Sequence, residues 1–442
     1  MSLRRHSSYR KSGTQWLAKL PSSWQEKRLR HVVRIQKRIA GELGHQVLSI
    51  TQKGIRIKDT ESNEGQLSQD YSKYQLVEPC DYAMNHMDLL TGYIDQSQVY
   101  GVTSPDYRVF TLREGAHVNE KYLLRVLQNA YLQRIFYAYG QGSSQLGRWR
   151  LPTDGFLDFV IPVPPLDEQA AVANFLDRET AKIDALIAEQ QRLIELLQEK
   201  KQAVISHAVT KGLNPNAPMK DSRVEWLGEV PEHWRIGKLK HICDVRDGTH
   251  ETPSYLEPSV DSRPLVTSKD IGEEGINLEA CSHISLHDHM QISRRSKVDK
   301  GDLLMPMIGS IGGCQVVESD EEFSIKNVAL FKIRNATYGL WLKALINSDF
   351  IEVQFDLMSS GGVQAFVSLG TLRNLTVPII PMSEQQEIVY WLDTACAPFT
   401  DLVHKAESTV SLLKERRSAL ISAAVTGQID VRGLVESEVG EQ

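Results

Sequence analysis

The sequence is poor in cysteine and has no long apolar run, and each absence argues against a class of protein. Its 442 residues include 5 cysteines, which are scattered and form no Cys-x-x-Cys pair. This argues against a disulfide framework and against a zinc ribbon. No apolar stretch approaches the roughly 20 residues that a membrane-spanning helix requires. Because the first residues are polar and basic, we expect no secretion signal and a cytoplasmic location.

Motifs for catalysis are also missing from the sequence. It contains no phosphate-binding P-loop, no dinucleotide-binding glycine fingerprint, no His-Glu-x-x-His motif, no Gly-x-Ser-x-Gly elbow and no kinase signature. The Asx-Pro-Pro-aromatic loop that amino-methyltransferases use around a flipped base is absent as well. These absences count against an enzyme.

One cluster contains the residue types that bind zinc, namely Cys281, His283, His287 and His289. Cysteine and histidine are the usual zinc ligands in structural sites. Their spacing here matches no standard site, and the first half of the chain has no counterpart. We predict an ordinary polar loop at this position and no bound metal.

The net charge is mildly negative, but basic residues are concentrated locally. The formal net charge of −6 does not by itself favour a free-standing nucleic-acid-binding protein. Residues 1–38 nevertheless contain a single acid, Glu26, among many lysines and arginines, and basic clusters recur at 148–150, 294–297 and 326–334. Such stripes can supply phosphate contacts on an acidic protein. Solvated surface charge is the alternative for any one cluster.

The most informative feature is a frame that occurs twice. Each half opens with Trp-Leu-x-x-x-Pro-x-x-Trp, beginning at Trp16 and at Trp226. Each half also contains a proline-rich strand that leads through Glu-Gln into a long helical stretch, at 159–211 and at 375–427. The inserts between these segments, 32–158 and 242–374, scarcely resemble each other. A fixed frame around two unlike inserts predicts a molecule that reads two different targets at a set distance.

Each proline-rich segment is predicted to be extended and then to enter a helix. The prolines at 162, 164 and 165 prevent helix continuation before this point. Asp167 and Ser383 are the N-cap candidates, and each is followed by a glutamate in the first turn. We expect a short amphipathic helix in each copy. Its predicted buried residues are Val172, Phe175 and Leu176 in the first copy and Ile388, Trp391 and Leu392 in the second.

A long helix with a coiled-coil seam follows in each copy. Apolar positions alternate at spacings of four and three residues, the period of such a seam. Lys201 and Arg417 interrupt the seam at corresponding places. About 30 residues at about 1.5 Å each give a rod of about 45 Å. We predict that the two helices pair as an antiparallel coiled coil and relate the halves by a pseudo-twofold axis. The seam comprises Ile183, Ile187, Ile194, Leu197, Val204, Phe399, Val403, Val410, Leu413 and Leu420.

These patterns define the predicted fold class as α+β, with two mixed α/β domains separated by two long helices. Strands are predicted at 45–51, 263–268 and 302–305, and helices at 120–139 and 338–358. The predicted boundaries are 1–160 for the first domain, 161–215 for the first helical spacer, 216–377 for the second domain, and 378–442 for the second spacer with an acidic tail.

The frame motifs resemble those of the specificity (S) subunits of type I restriction–modification systems, the HsdS family. The resemblance rests on the paired tryptophan openings, on Pro-x-Pro-Pro-Leu-x-Glu-Gln before the first long helix, and on the two helix endings. These endings read Ala-Val-Ile-Ser-His-Ala-Val-Thr-Lys-Gly-Leu and Ser-Ala-Leu-Ile-Ser-Ala-Ala-Val-Thr-Gly-Gln-Ile-Asp. The resemblance covers the whole chain and includes the order of its parts.

The resemblance implies that each insert is a target recognition domain that reads a few base pairs of double-stranded DNA. The helices would separate the two domains and dock two modification (methyltransferase) subunits, which in turn connect to restriction subunits. The DNA target would be bipartite and asymmetric, with half-sites about 34–36 Å apart if they lie one helical turn apart. S-adenosylmethionine, ATP and Mg²⁺ would belong to the partner subunits. This chain would bind no cofactor of its own and would not be an enzyme.

Base contacts are predicted on polar and basic loop residues of the inserts, because Arg or Lys can read guanine and Gln can read adenine. The predicted contacts are Thr51, Gln52, Lys53, Gln145, Arg148 and Arg150 in the first insert and Ser268, Lys269, Ser310 and Gln364 in the second. Each has an alternative role as an ordinary turn or surface residue. The four frame residues Glu168, Gln169, Glu384 and Gln385 are instead expected to cap and pack helices.

Two other classes of function stay open at this point. A coiled-coil scaffold with two protein-binding modules accounts for the repeat and the net charge, but not for the paired proline and Glu-Gln segments. DNA binding by the chain with its partner separates this class from a specificity subunit. A cryptic metal-dependent nuclease is the other alternative, and metal-dependent DNA cleavage by the isolated chain would reveal it.

Replacing Arg148 with alanine is expected to weaken binding through the first half-site only. The loss is about 1–3 kcal/mol if the guanidinium contacts a base. The measurement is a binding titration against DNA with substitutions in one half-site at a time. Equal weakening on all sequences, with a shallower salt dependence, would show a phosphate contact instead.

Overall fold

Residue contacts divide the chain into two units, each of which contains part of both halves of the sequence. The computed structural model describes residues 4–60, 68, 70–142, 149–272, 274–309, 312–358 and 366–434. The first unit is Met1–Gln190 with Ser408–Gln442, and the second is Gln191–Glu407. The four domain boundaries predicted above follow the repeat in the sequence, and they stay a prediction.

The first unit contains twelve of the described strands, two short helices and the beginning of the first long helix. The strands are β1 (Tyr9–Lys11), β2 (Lys19–Pro21), β3 (Gln25–Arg28), β4 (Val33–Gln36), β5 (Leu48–Thr51), β6 (Gly54–Ile57), β7 (Gln75–Val77), β8 (Tyr82–Met84), β9 (Ile94–Gln96), β10 (Gly101–Thr103), β11 (Arg108–Leu112) and β12 (Val160–Val163). The helices are α1 (Glu120–Leu132), α2 (Thr153–Leu157) and α3 (Leu166–Lys211).

The second unit contains the remaining described strands, four shorter helices and the beginning of the second long helix. The strands are β13 (Met219–Asp221), β14 (Glu229–Pro231), β15 (Arg235–Lys238), β16 (Asp244–Asp247), β17 (Ser262–Val266), β18 (Ile271–Gly272), β19 (Gly275–Ile276), β20 (Ser282–Ser285), β21 (Leu303–Pro306), β22 (Gln315–Val316), β23 (Ser324–Ile325), β24 (Val328–Lys332) and β25 (Thr376–Ile379). The helices are α4 (Leu286–Ser296), α5 (Ala336–Ile346), α6 (Asp349–Met358), α7 (Leu369–Arg373) and α8 (Met382–Val425).

The frame has the same strand pairing in both units. β3 pairs antiparallel with β12, and β15 pairs antiparallel with β25. The Leu29 amide donates to the Phe159 carbonyl, and the Leu239 amide donates to the Leu375 carbonyl, both at 2.9 Å. A small hairpin precedes each pair, formed by β1–β2 in one unit and by β13–β14 in the other. The repeated sequence therefore folds into a repeated structure.

The two inserts share a core topology although their sequences scarcely resemble each other. The four-stranded sheet has the order β4-β11-β8-β9 in the first unit and β16-β24-β21-β22 in the second. In both orders the first strand of the insert lies beside its last strand. Helices α1 and α2 stand at the same places along the repeat as α5 and α7. The predicted insert strands and helices are confirmed. The structure divides each of the two predicted helices, 120–139 and 338–358, into two helical pieces.

The long helices differ from the prediction at their starts. α3 and α8 are each continuous from the Glu-Gln motif onward, so the prediction of a separate short helix before each is wrong. The capping prediction for Asp167 and Ser383 is also wrong. The Gln169 amide donates to the Pro165 carbonyl at 2.9 Å, and the Gln385 amide donates to the Pro381 carbonyl at 3.1 Å. Proline accepts this first helical hydrogen bond without a side-chain cap, because only its carbonyl is needed.

Gln169, Glu384 and Gln385 have the frame role that the sequence predicts. Gln169 is fully buried, and its side chain accepts from the Asn119 amide at 2.6 Å and donates to the Pro164 carbonyl at 2.8 Å. The side chain of Gln385 donates to the Ile380 carbonyl at 3.2 Å. Glu384 accepts from the indole nitrogen of Trp234 at 2.7 Å. These bonds attach each long helix to the strands before it.

Each hydrophobic core contains one end of each long helix. Val172, Phe175 and Leu176 at the start of α3 pack in the first core together with Ile421, Ala424 and Val425 at the end of α8. The second core contains Ile388 and Leu392 at the start of α8 together with Ala208 and Val209 at the end of α3. The prediction that Trp391 is buried is wrong, since it is 41% exposed. Ile388 and Leu392, one turn apart, form the buried face, and Trp391 lies at its edge.

The two long helices are antiparallel and paired in each unit. Every predicted seam residue is buried or half-buried. In the first unit, Arg417 of α8 forms an ion pair with Asp184 of α3, with Nε and Oδ1 2.8 Å apart. In the second unit, Lys201 of α3 donates to Thr400 of α8 at 3.0 Å. These are corresponding pairs of the repeat, so the polar interruptions of the seam set the same antiparallel register twice.

No helix in the described part of the chain is long and apolar enough to cross a membrane.

Replacing Ile421 with alanine is expected to destabilise the first unit by about 2–5 kcal/mol, because a fully buried side chain leaves a cavity. The measurement is chemical denaturation of the full chain. Leu412→Ala on the same helix is the control, because Leu412 is 64% exposed. Similar losses for both variants would contradict the assignment of the end of α8 to the first core.

Candidate nucleic-acid interface

Three of the predicted DNA contacts meet at the tip of the β5–β6 hairpin in the first unit. Gln52 and Lys53 are exposed there between paired Thr51 and Gly54. The Thr51 hydroxyl donates to the Gly54 carbonyl at 2.9 Å and accepts from the Lys53 amide at 3.1 Å. This hydroxyl therefore shapes the turn, while Gln52 and Lys53 present their side chains to solvent.

The tip is braced by Asp95. Its carboxylate accepts from the Ile55 amide at 3.0 Å. A Cβ on Gly54 would lie 2.6 Å from this carboxylate, and Gly54 also has a positive φ of 94°. A glycine is therefore needed here for the close approach and for the backbone conformation. The bracing presents Gln52 and Lys53 on a fixed turn.

Arg150 lies at the base of a different loop. The amide of Gln141 donates to the Arg150 carbonyl at 2.8 Å, and the amide of Arg150 donates to the Gln141 carbonyl at 3.1 Å. The predicted contacts Gln145 and Arg148 stand between these two residues in the sequence and lie outside the described residues. The side chain of Arg150 is exposed.

Ser268 and Lys269 share one helical turn after β17 in the second unit. The carboxylate of Asp270 accepts from the amide of Thr267 at 2.9 Å and from its hydroxyl at 2.8 Å. This reciprocal cap holds the turn. Lys269 is exposed and Ser268 is half-buried. The other contacts predicted in this insert, Ser310 and Gln364, lie outside the described residues.

A cleft between the loop 248–253 and helix α4 was not predicted from the sequence. Its volume is about 280 Å³, and it is lined on the helix by Asp288, Gln291 and Arg295. Arg295 is 69% exposed and pairs with the buried carboxylate of Asp247. A Cβ on Gly248 would lie 2.2 Å from the Ile325 carbonyl, so the loop can follow this path only with glycine. The basic pair at 294–295 was a sequence signal for this surface, but it did not identify the cleft.

His250 is exposed and contacts Asp247, which lines this cleft. Its Nδ1 lies 2.8 Å from the side-chain oxygen of Asn327, and its Nε2 lies 3.0 Å from Asp247. The hydrogen bond to Asn327, followed by the one to Asp247, raises the pKa of His250 above its ordinary value. Burial acts to raise the pKa of Asp247, but the hydrogen bonds from Arg295 and His250 outweigh burial and lower it. The cleft edge therefore gains positive charge as the pH falls.

The three histidines of the Cys281–His289 cluster lie on β20 and α4 rather than on a loop, so that part of the prediction is wrong, while Cys281 directly precedes β20. His283 contacts the Ser262 hydroxyl and His289 contacts the Ser324 hydroxyl, each at 2.9 Å. Burial raises the pKa of the Cys281 thiol to about 12. Each histidine uses a ring nitrogen for a partner within the insert. The geometry gives these residues structural roles.

Comparison with known proteins supports the fold. The EcoBI type I restriction enzyme specificity subunit of Escherichia coli is 24% identical over 332 residues, which cover 71% of this chain and 69% of that protein. The putative MjaX specificity subunit of Methanocaldococcus jannaschii is 20% identical over 446 residues, which cover 94% of this chain and 96% of that protein. No family model matches the chain.

A solved structure from a study of complex assembly and conformational transition of the type I restriction–modification system has the same fold. Its TM-score is 0.63 at 15% identity, and the match covers 92% of this chain and 99% of that chain. The fold therefore defines a class of proteins in which one repeated frame with two long helices carries two α/β inserts. Together with these relatives, the fold agrees with the resemblance of the frame motifs: the chain is similar to type I restriction enzyme specificity subunits.

DNA binding through the second unit is expected to weaken as the pH rises through the raised pKa of His250. Its imidazolium, present below that pKa, is attracted to phosphates, and its charge is lost above it. The measurement is affinity for duplex DNA, with the partner subunit present, between about pH 6 and pH 8. His250→Gln should flatten this dependence, while the exposed-histidine control His404→Gln should not. Equal pH dependence in both variants would remove His250 from the interface.

Proposed function

We propose that this chain is the DNA sequence-recognition subunit of a type I restriction–modification complex. In this proposal the two inserts read the two halves of a bipartite, asymmetric duplex target. The frame helices separate the inserts and dock two modification subunits, through which restriction subunits join. The observation that carries the proposal is a repeated frame around two inserts that share a sheet topology but differ in sequence.

The shapes of the inserts support DNA reading. The β5–β6 tip presents Gln52 and Lys53, and the second-unit cleft presents Arg295 beside His250. These segments are held by partly buried hydrogen bonds. Arg, Lys and Gln are the side chains best suited to paired hydrogen bonds with guanine or adenine in the major groove. Two inserts with one topology and different exposed residues would read two different base sequences in similar ways.

Exposed leucines support the docking of partner subunits on the long helices. In the first unit, Leu186 of α3 is 46% exposed and Leu412 of α8 is 64% exposed. In the second unit, Leu196 of α3 is 45% exposed and Leu402 of α8 is 46% exposed. Relative to the seam, these leucines occupy heptad positions c and g, which neighbour each other on a helix surface. Apolar residues on the outer side of a coiled coil indicate a contact surface.

The leucine pairs also correspond by the repeat. Leu186 and Leu402 stand at corresponding positions, as do Leu196 and Leu412. Each unit displays at least one leucine of each kind near the polar pair that sets its helix register, and the second unit also exposes Leu193 of α3 by 42%. Two equivalent apolar surfaces fit two copies of the same partner. This supports a stoichiometry of two modification subunits for each chain.

Catalysis in this proposal belongs to the partners. The modification subunits would bind S-adenosylmethionine and the restriction subunits would use ATP and Mg²⁺. This chain contributes sequence specificity and positioning. Its mild acidity is compatible with that division, because partner subunits that close around the DNA would supply much of the phosphate contact.

In the double variant Leu186→Arg with Leu412→Arg, we expect the number of bound modification subunits to fall from two to one. The physical reason is that two charged side chains interrupt one of the two apolar surfaces. Native mass spectrometry of the complex measures the stoichiometry. The second-unit pair Leu196→Arg with Leu402→Arg should have the same effect, and all four changes should abolish docking.

The matched control replaces Ala188 and Ser411 with arginine, because both are exposed on the other side of the seam in the first unit. The control should retain two bound subunits. Unchanged stoichiometry in both leucine variants, or equal loss in the control, would contradict docking on the leucine surfaces.

A further inference from the structure

Three potential metal ligands meet in the first unit, far along the sequence from one another. His6 precedes β1, Glu168 lies in the first turn of α3, and Asp430 follows α8. Their nearest ligand atoms all lie within 4.8 Å of one another, and they form the one such group of three in the described part of the chain. His6 Nε2 and Glu168 Oε1 are 3.6 Å apart, which is longer than a hydrogen bond.

The Nε2 atom of His6 is buried without a hydrogen-bond partner. His6 is 7% exposed, and its Nε2 has no hydrogen bond although it points at Glu168. Glu168 is itself 3% exposed. A buried polar group without a partner costs free energy comparable to a lost hydrogen bond, and a bound water or ion is one way to satisfy it. The indole nitrogen of the adjacent Trp24 is also buried and unpartnered.

At the corresponding place in the second unit, the glutamate and the tryptophan are hydrogen-bonded to each other. Glu384 corresponds to Glu168 and Trp234 corresponds to Trp24. Glu384 accepts from the Trp234 indole at 2.7 Å and also contacts His233 directly. That carboxylate is therefore satisfied by its own unit. In the first unit the carboxylate, the imidazole and the indole lie together without hydrogen bonds among them in the described structure.

We propose that His6 Nε2, Glu168 and Asp430 bind one divalent transition-metal ion, with Zn²⁺ as the best match. This revises the sequence-based prediction that the chain binds no metal. One imidazole nitrogen and two carboxylate oxygens at bond lengths of about 2.0–2.2 Å place ligand atoms roughly 3.4 Å apart in a tetrahedral site. The 3.6 Å between His6 and Glu168 already fits this geometry. Water would complete the coordination.

Arg432 competes with a metal for the same carboxylates. Its guanidinium lies 2.7 Å from Asp430 and 4.0 Å from Glu168. The side chain of Arg432 is 52% exposed, so it can turn towards solvent when a cation binds. The metal would replace a half-exposed ion pair with direct ligation of a buried histidine. It would join the segment before β1, the start of α3 and the segment after α8 within the first unit.

The proposal is tested by titrating the metal-free full chain with Zn²⁺ and by measuring its thermal unfolding with calorimetry. The wild-type chain should bind one equivalent that His6→Gln and Asp430→Asn do not bind. At a Zn²⁺ concentration of about 100 times Kd, the melting temperature of the first unit should rise by about 5 °C in the wild type. Arg432→Ala should bind Zn²⁺ several-fold more tightly, because the competing guanidinium is gone.

His233→Gln is the matched control, because it removes a histidine from the corresponding place of the second unit. It should keep the full response to Zn²⁺. Co²⁺ absorption adds a spectroscopic check, since ligation by nitrogen and oxygen gives visible bands without the thiolate charge-transfer band of cysteine. The proposal is overturned if the wild type binds no Zn²⁺, or if His6→Gln and Asp430→Asn, folded by circular dichroism, bind it as the wild type does.

Discussion

The antiparallel pairing of α3 and α8 is the interaction on which the rest of the structure depends. Each helix begins in the core of one unit and ends in the core of the other unit. Neither core is complete without residues from both halves of the sequence. The polar pairs Asp184–Arg417 and Lys201–Thr400 set the helix register. A slip of one helix past the other would separate these pairs and withdraw the helix ends from both cores.

This dependence explains why the frame sequence is repeated in the two halves while the insert sequences differ. A frame residue such as Gln169 holds three backbone groups at once, and Trp24 and Trp234 are among the largest fully buried side chains. Such residues have few substitutes, so the motif appears twice. An insert residue at a loop tip such as Lys53 has no such constraint. The exposed surface of an insert can therefore change while the sheet beneath it stays the same.

The frame could be predicted from the sequence because its signals are local. Proline spacing and a seam period of four and three identify the helices and their pairing. The shared topology of the inserts could not be predicted, because the two sheets bury different residues at corresponding places and only strand order is common. The second-unit cleft was also missed, since Asp247, His250 and Arg295 come together through tertiary packing. The exposure of Trp391 was also missed, because helical periodicity does not determine where the buried face of a helix ends.

The most direct test of recognition through two inserts is a map of adenine methylation in a genome that expresses this chain with its modification subunit. A genome with the modification subunit alone is the comparison. Recognition through two inserts predicts methylation at one bipartite motif, made of two unlike half-sites with a fixed spacing, only when this chain is present. Methylation that does not depend on the chain, or a motif with a single continuous half-site, would contradict it.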